Sequence, residues 1–334
     1  MIFRQLFDTT SSTYSYLLAS RPGGEALIID PVLERVDRYL QLIRELNLQL
    51  VKAVDTHLHA DHITGLGALR DRTHCITVMG EQSKVDVVSM RVADGDRIAI
   101  EGLALDVLYT PGHTPDSYCY RLADRVFTGD TLLIRGTGRT DFQGGDARVQ
   151  YDSIFNRLLR LPDDTLVYPA HDYKGDTVST IAEERAFNPR LQVPSVQAYV
   201  DLMASLKLAN PAQMDVAVPA NMRQGLAQDT VARRGWAITP AEAHSRTDAV
   251  IIDLREDSER TRDGRVDGAR PLPYPSLRQA LPLLAMQTQP IIFLCAFGER
   301  SAMAVQAARD ADIPAIHIQG GLAAWKRDGL AVEK

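Results

Sequence analysis

Cysteine is scarce in this chain of 334 residues, with Cys75, Cys119 and Cys295 its only three. So small and odd a number excludes a disulfide framework and fits a reducing compartment, which makes the cytoplasm the expected location. Long apolar runs are lacking too. No stretch is long enough to span a bilayer, and Met1 to Ser12 has no apolar core of a signal peptide, so neither membrane insertion nor export is expected. A basic excess is also missing. The formal net charge is -6 and the pI near 5.8, which argues against a nucleic-acid-binding surface. What remains is the composition of a soluble globular protein, 45% hydrophobic and 24% charged. The length exceeds that of a usual single domain, so two are expected.

Histidine is sparse as well, eight in all, yet three of them fall within six positions of Thr56-His57-Leu58-His59-Ala60-Asp61-His62. The loop follows an apolar run, Val51-Lys52-Ala53-Val54, that reads as a buried strand. A strand end followed by a tight loop can aim several short side chains at one spot, as metal coordination requires. The same grammar recurs three more times. Thr110-Pro111-Gly112-His113-Thr114 follows the strand Leu105–Tyr109, Phe127-Thr128-Gly129-Asp130-Thr131 ends another, and Tyr168-Pro169-Ala170-His171-Asp172 follows Thr165-Leu166-Val167. A lone histidine at a strand end is usually structural. Recurrence turns the odds toward His57, His59, Asp61, His62, His113, Asp130 and His171 as a ligand set. The set alone leaves two chemistries open. A dinuclear zinc hydrolase would use every member, with Asp130 bridging and a metal-bound hydroxide as nucleophile. A mononuclear iron site would use a face of two histidines and one carboxylate, leaving positions for dioxygen and substrate.

Around these loops the pattern predicts strands at 2–7, 14–19 and 26–30, with a turn at Arg21-Pro22-Gly23-Gly24. Val32, Val36, Leu40, Ile43 and Leu46 fall at helical spacing. Strand 50–54 follows, then a helix opened by Asp61–Gly65 and running to about Arg72, then strands at 76–79, 97–100 and 103–109. Helices are expected at 176–187 and 195–208, and 210–236 reads as an irregular end segment running into a linker. Helices flanking strands in this order would give an αββα sandwich. Cys75 and Cys119 lie in strand-like runs and read as small buried side chains.

The pattern His-x-His-x-Asp-His resembles the metallo-β-lactamase superfamily. Within it, His59-Ala60-Asp61-His62-Ile63-Thr64-Gly65, Gly138-Arg139-Thr140-Asp141-Phe142-Gln143 and Ala170-His171-Asp172-Tyr173-Lys174-Gly175 closely resemble the persulfide dioxygenases. Val216-Ala217-Val218-Pro219-Ala220-Asn221-Met222-Arg223 is similar to that family's C-terminal segment, so the resemblance covers roughly residues 1–225. It implies one Fe(II) in the N-terminal domain, held by His57, His113 and Asp130. His59, Asp61, His62 and His171 would then fix the ligands by hydrogen bonds rather than bind iron. It also implies oxidation of glutathione persulfide by O₂ to sulfite and glutathione. Glutathione carries two carboxylates, for which arginine is the best-shaped partner. Arg139, Tyr173 and Arg223 are the candidates, with Tyr173 expected nearer the sulfur or the hydrogen-bonded histidines, and Asp141 read as a loop cap or site residue.

The second half is a different domain. Thr239-Pro240-Ala241-Glu242 reads as a helix start, with Thr239 as cap and Pro240 at the first helical position. Apolar strands at Ala249–Leu254, Pro290–Leu294 and Ala315–Ile318 alternate with helices, which indicates a parallel α/β sheet. Phe293-Leu294-Cys295-Ala296-Phe297-Gly298-Glu299-Arg300-Ser301, followed by the helix Ala302–Arg309, places a cysteine between a strand end and a helix start. Backbone N–H groups there form an anion cradle, and with Arg300 nearby they would favour a nucleophilic thiolate. Such a loop also suits a phosphatase or a structural cysteine. A phosphatase, however, puts five residues between Cys and Arg, whereas four (296–299) intervene here. With Ile252-Asp253-Leu254-Arg255-Glu256 upstream and Gly320-Gly321-Leu322-Ala323-Ala324-Trp325 downstream, residues 237–334 resemble a single rhodanese domain. Two departures from the family's usual wording, Asp253-Leu254-Arg255 and Arg265-Val266-Asp267-Gly268-Ala269, leave Cys295 untouched. Asp253 and Arg255 read as bracing residues.

The expected organisation is therefore a metallo-β-lactamase-like persulfide dioxygenase domain over 1–228, its end segment starting near 210, and a rhodanese sulfurtransferase domain over 237–334. Rhodanese chemistry would carry a sulfane sulfur as a Cys295 persulfide and interconvert thiosulfate and glutathione with glutathione persulfide and sulfite, in either direction. The expected partners are glutathione persulfide, O₂, thiosulfate, sulfite and glutathione as cosubstrate, with no nucleic acid and no membrane; a homo-oligomer is compatible with the sequence. Two alternatives stand beside this reading. One is a zinc hydroxyacylglutathione hydrolase of glyoxalase II type with a rhodanese domain. The other is a non-catalytic carrier or sensor of sulfane sulfur.

Overall fold

Alternating strands of the first half are laid down in chain order in the computed structural model, which describes residues 1–85, 88–206, 208, 214–222 and 228–333. One six-stranded sheet runs β1 (Ile2–Asp8), β2 (Thr13–Ala19), β3 (Glu25–Ile29), β4 (Gln49–Val54), β5 (Ile76–Gly80) and β6 (Met90–Val92) from edge to edge. The second runs β7 (Arg97–Ile100), β8 (Leu103–Tyr109), β9 (Tyr118–Arg121), β10 (Arg125–Gly129), β11 (Leu166–Pro169) and β12 (Ser179–Thr180). Strand β2 is buried along its whole length, as a strand covered on both faces must be. Phe3 and Tyr16 from the first sheet meet Phe127 and Tyr168 from the second, with Phe3–Tyr168 and Tyr16–Phe127 ring centroids both 4.9 Å apart. The Tyr16 hydroxyl then donates to the Pro169 carbonyl at 2.5 Å, so the aromatic core is pinned by a polar end. The αββα layering expected from the sequence is present.

The helix Val36–Glu45 buries Val36, Leu40 and Ile43 of the stripe read from spacing, together with Tyr39 and Leu42, while Val32 and Leu46 lie just outside its ends. Elsewhere the structure corrects the sequence. The helix after the histidine loop starts only at Leu66, because residues just before it are tied elsewhere: Thr64 N–H donates to Asn221 Oδ1 at 2.9 Å and Gly65 N–H to Pro31 O at 2.6 Å. The helix expected from 176 starts at Ile181. Before it, the Asp172 carboxylate gathers the N–H groups of Lys174, Gly175 and Asp176 into a turn, and Thr180 caps the helix by accepting from Glu183 N–H. The helix expected to reach 208 ends at Ser205. Residues 210–236 are not all irregular: Met214–Met222 and Gln228–Arg233 are helical. Pro219 inside the first of these disguised it as a loop.

The second half builds a five-stranded sheet in the order β13 (Ala237–Ile238), β17 (Ala315–Ile318), β16 (Ile291–Leu294), β14 (Val250–Asp253) and β15 (Arg270–Pro271). Every neighbouring pair is parallel. Ala243, Val266, Ile292, Leu294, Ile318, Leu322 and Trp325 form a core beside the sheet. Thr239 and Glu242 close a reciprocal capping box, as the Thr-Pro-x-Glu pattern predicts. The helix after Cys295 runs Glu299–Asp310, starting before the expected Ala302. The chain divides into two compact units, one of residues 1–73, 77–85 and 91–223, the other of residues 74–76, 86–90 and 224–334. Among the described residues no helix is long and apolar enough to cross a membrane.

Candidate metal centre and thiol cradle

The histidine loop leaves β4 braced by hydrogen bonds from two directions. Asp30, at the end of the adjacent β3, accepts from Thr56 N–H at 2.7 Å and from the Thr56 hydroxyl at 3.0 Å. Asn221, buried in the helix that the sequence disguised, donates to the carbonyls of His59 and His62 at 3.0 and 2.9 Å and accepts from Thr64. Three backbone groups of the loop thus depend on one amide.

His57, His113 and Asp130 each offer a ligand atom, all within 4.8 Å of one another. Their tautomers follow from their partners. His113 Nδ1 lies 2.7 Å from the Arg139 carbonyl, which only accepts, so Nδ1 carries the proton and Nε2 is bare. The Thr56 hydroxyl gives its proton to Asp30, so its oxygen accepts from His57 Nδ1 at 2.9 Å, and His57 Nε2 is bare too. His113 Nε2 stands 3.6 Å from Asp130 Oδ2, while Asp130 Oδ1 accepts from His171 Nδ1 at 2.6 Å. Burial, followed by the neighbouring imidazoles of His59 and His113, holds His57 well below its ordinary pKa and therefore neutral. Burial alone would raise Asp130, but His171, His113 and His57 hold it below the usual carboxylate range. Two imidazoles and a carboxylate whose ligand atoms converge this closely fit one divalent ion on a three-residue face.

The remaining members of the set are largely occupied with one another. Asp61 Oδ2 meets His62 Nδ1 and His171 Nε2, each at 2.8 Å, and Thr13 Oγ1 at 3.2 Å. Both nitrogens of His171 are consequently held by carboxylates. Burial opposes its charge, but Asp130 and Asp61 push its pKa well up, so it sits between them as a cation. His59 Nε2 lies 3.1 Å from Asp30 Oδ1, and against the opposing effect of burial Asp30 and Asp55 push its pKa up to about 9. His59 Nδ1 and His62 Nε2 have no partner among the described residues.

His57, Asp61, His113, Asp130 and His171 open into a cavity of about 600 Å³ lined also by residues 133–139, Phe142, Tyr173, Lys174 and Arg190. Gly138 is forced by the site: a Cβ there would lie 2.1 Å from the Asp130 carbonyl and 2.8 Å from His113 Nδ1. Arg139 lines the cavity, but its guanidinium is ion-paired with Asp141 and laid over the Phe142 ring at 4.6 Å. Tyr173 is 73% exposed and stacks on His171 at 6.1 Å. Arg223 lies outside the described residues. Sequence reasoning missed Arg190. It donates to the Thr137 carbonyl at 2.5 Å and hydroxyl at 3.1 Å, and among the described residues no carboxylate pairs with it. Partial burial holds it below the ordinary arginine pKa, though still charged. Nothing in an Asn-Pro-Arg-Leu run distinguishes it from the other 36 lysines and arginines of a total of 37.

In the second unit, Cys295 directly follows β16 with its thiol free and buried. Gly298 N–H and Ser301 N–H point at Sγ from 3.1 and 3.4 Å, so the backbone cradle expected from the loop is there. Gly321 must be glycine: its φ is +60°, and a Cβ would lie 2.4 Å from the Cys295 carbonyl and 2.7 Å from Gly298 N. Arg300 differs from expectation. Its guanidinium is buried in a two-pronged ion pair with Glu259, at 2.7 and 2.5 Å, so its charge is matched there and not directed to the sulfur by a hydrogen bond. Arg255 braces the turn through Asp253 at 2.9 and 2.6 Å, as expected.

Comparison with known proteins finds a family match in each half of the chain. Residues 8–171 match the metallo-beta-lactamase superfamily and residues 239–328 the rhodanese-like domain. The chain is 48% identical over 233 residues to the mitochondrial persulfide dioxygenase ETHE1 of Homo sapiens, covering 69% of this chain and 91% of that protein. The crystal structure of ETHE1 from Myxococcus xanthus superposes with a TM-score of 0.65 at 53% identity, over 66% of this chain and 98% of that one. A metallo-beta-lactamase structure from Staphylococcus aureus shares the fold, at a TM-score of 0.63 and 23% identity, over 96% of this chain and 98% of that one.

Proposed function

This chain belongs to the persulfide dioxygenase family of the metallo-β-lactamase superfamily, with a rhodanese-like domain appended, and from that premise we propose that it is a glutathione persulfide dioxygenase coupled to a sulfurtransferase. The dioxygenase reaction is GSSH + O₂ + H₂O giving glutathione and sulfite with its protons. Its metal is Fe(II), held by His57, His113 and Asp130. Bound there, iron would supply the redox chemistry by which electrons of the sulfane sulfur pass to dioxygen, which redox-inert zinc does not. The observation that carries this assignment is the pair of carboxylates on His171: with both its nitrogens engaged, it orients Asp130 and leaves a three-residue face.

The chain's own residues do the rest. The Arg139 carbonyl and Thr56 hydroxyl keep the two ligand imidazoles in the metal-binding tautomer. Arg190, unmatched by any described carboxylate, is the stronger candidate for a glutathione carboxylate, ahead of Arg139, whose charge Asp141 already balances. Tyr173 covers His171 at the mouth of the cavity.

At Cys295 the thiolate attacks the outer sulfur of thiosulfate. An S–S bond forms, the bond to the sulfonate sulfur breaks, and the electron pair leaves as sulfite; glutathione thiolate then takes the outer sulfur from Cys295 as glutathione persulfide. Run backwards, the same steps make thiosulfate. The backbone cradle of Gly298 and Ser301 supports an anionic sulfur at that position.

One observation favours a second reading: His59 Nδ1 and His62 Nε2 are buried and unpartnered among the described residues, as a dinuclear zinc hydrolase would want. Oxygen uptake decides between them. Iron-loaded protein given glutathione persulfide is expected to consume O₂ and release sulfite, and Asp130→Ala to lose both. No uptake despite one bound iron, with two zinc ions bound and glutathione thioesters hydrolysed, would overturn the dioxygenase.

A further inference from the structure

Strand β17 carries a histidine where the core of a parallel sheet would ordinarily be apolar. His317 is 0% exposed and pairs in register with Phe293, two residues before Cys295 on the adjacent β16. Burial pushes its imidazole pKa down to about 4, so the ring is neutral at any working pH. Nδ1 lies 3.1 Å from Ser301 Oγ, and Nε2 has no hydrogen-bond partner among the described residues. A bare buried acceptor is tolerated better than an orphaned N–H, which favours the tautomer with its proton on Nδ1. Ser301 Oγ therefore accepts from His317.

With the sulfur as a thiol, Cys295 donates to Ser301 Oγ at 3.5 Å and the serine donates to the Gly298 carbonyl at 3.1 Å; once the sulfur is an anion it only accepts, and the Ser301 proton then has two acceptors, that carbonyl and Sγ. A thiolate or persulfide anion is the stronger acceptor of the two. Other charge near the sulfur is already balanced: Arg300 is matched by Glu259, and Arg255 by Asp253, while Glu256 and the buried Glu299 would oppose an anion. We infer that His317 is a positioning residue that acts through Ser301, aiming the serine hydroxyl at the sulfur of Cys295 as a third neutral donor beside the two backbone N–H groups. The inference rests on Cys295 being the sulfur carrier, but it concerns how that sulfur is held, and the two can fail separately.

The test follows the thiolate of Cys295 in the full chain by far-ultraviolet absorbance against a Cys295→Ser blank, across the pH range. In parallel, mass spectrometry follows persulfide formation on Cys295 from thiosulfate. Ser301→Ala is expected to lower the thiolate fraction at a given pH below the midpoint by about tenfold, one hydrogen bond to a charged acceptor. His317→Leu is expected to shift the profile in the same direction, and His317→Asn, which can place an amide N–H near the Nδ1 position, to restore it. Thermal melting of each variant reports folding. A wild-type profile in His317→Leu, or an equal loss in both His317 variants, would overturn the inference by making the imidazole merely structural. Unlabelled Cys295 in a protein whose thiolate profile still responds to Ser301 and His317 would instead refute sulfur transfer from thiosulfate and leave the positioning role standing.

Discussion

Replacing Arg190 by methionine removes from the metal cavity a cation that no described carboxylate matches. Methionine keeps a straight apolar stem and removes the guanidinium, which donates to the carbonyl and hydroxyl of Thr137. A charge-assisted hydrogen bond to a substrate carboxylate is worth about 1.5–3 kcal/mol, and screening at a partly exposed site puts this one near the lower end. About 1.5 kcal/mol corresponds to roughly tenfold in affinity. In an oxygen-uptake assay, KM for glutathione persulfide should rise by about that factor with kcat unchanged, because the loss is of uniform binding. A persulfide of a small thiol lacking carboxylates should show no change in KM, and Arg190→Lys should fall between the two because it keeps the charge without the fork. If Arg190→Met weakened both substrates equally, the contact with the Thr137 carbonyl would be its whole role, and the carboxylate assignment would fail.

Asn221→Leu leaves the carbonyls of His59 and His62 and the N–H of Thr64 without their partner; at about 1–3 kcal/mol for each buried group left unsatisfied, urea unfolding of the first unit should weaken by about 3 kcal/mol or more and bound iron should fall below one per chain. Full iron content with wild-type stability would show that the loop holds itself. Glu259→Gln strands a buried guanidinium and should destabilise the second unit by about 3–5 kcal/mol, read as an early thermal transition. Burial opposes the charge of Glu259, but Arg300 depresses its pKa, so the pair contributes in full above the unfolded value of about 4.3 and loses its contribution as pH falls through the lower folded value; an acid-unfolding curve that is identical in Glu259→Gln would contradict this.

Much of both sites was legible because chemistry concentrated scarce residues. Three histidines in six positions stand out in a chain with only eight, and a cysteine between an apolar strand and a Gly-containing helix start stands out in a chain with three. Gly138 and Gly321 were readable as parts of motifs, and the structure supplies their reason, the absence of room for a Cβ against Asp130 and against the Cys295 loop. What stayed hidden was whatever depends on partners distant in sequence. Arg300 looked like an aid to the thiolate until Glu259, 41 positions away, was seen to hold it. Asn221 reaches back 162 residues to His59 from a helix whose proline made it look like a loop. Arg190 stands out only because no described carboxylate lies beside it, and no local pattern encodes the lack of a neighbour.

Strand direction explains why the legible residues converge at all. β8 is antiparallel to β9, β9 to β10, and β10 is parallel to β11, so β8, β10 and β11 all run the same way. Their carboxyl ends, which lead to His113, Asp130 and His171, therefore leave the sheet at one edge. An unbroken antiparallel meander would put alternate loops at opposite edges, some 17–20 Å apart for a typical strand. In the first sheet, β3 runs parallel to β4, which is why Asp30 can brace Thr56 at the neighbouring strand end. The second unit uses the rule in its pure form, since β14, β16 and β17 are mutually parallel and bring Asp253, Cys295 and the Gly320-Gly321 turn to the same edge. Reactive side chains at carboxyl ends of strands are thus a property of topology first. The recurrence of strand, turn and histidine or aspartate in the sequence is the linear trace of that topology, and it is absent wherever a site residue, like Arg190, is supplied by a connecting segment instead.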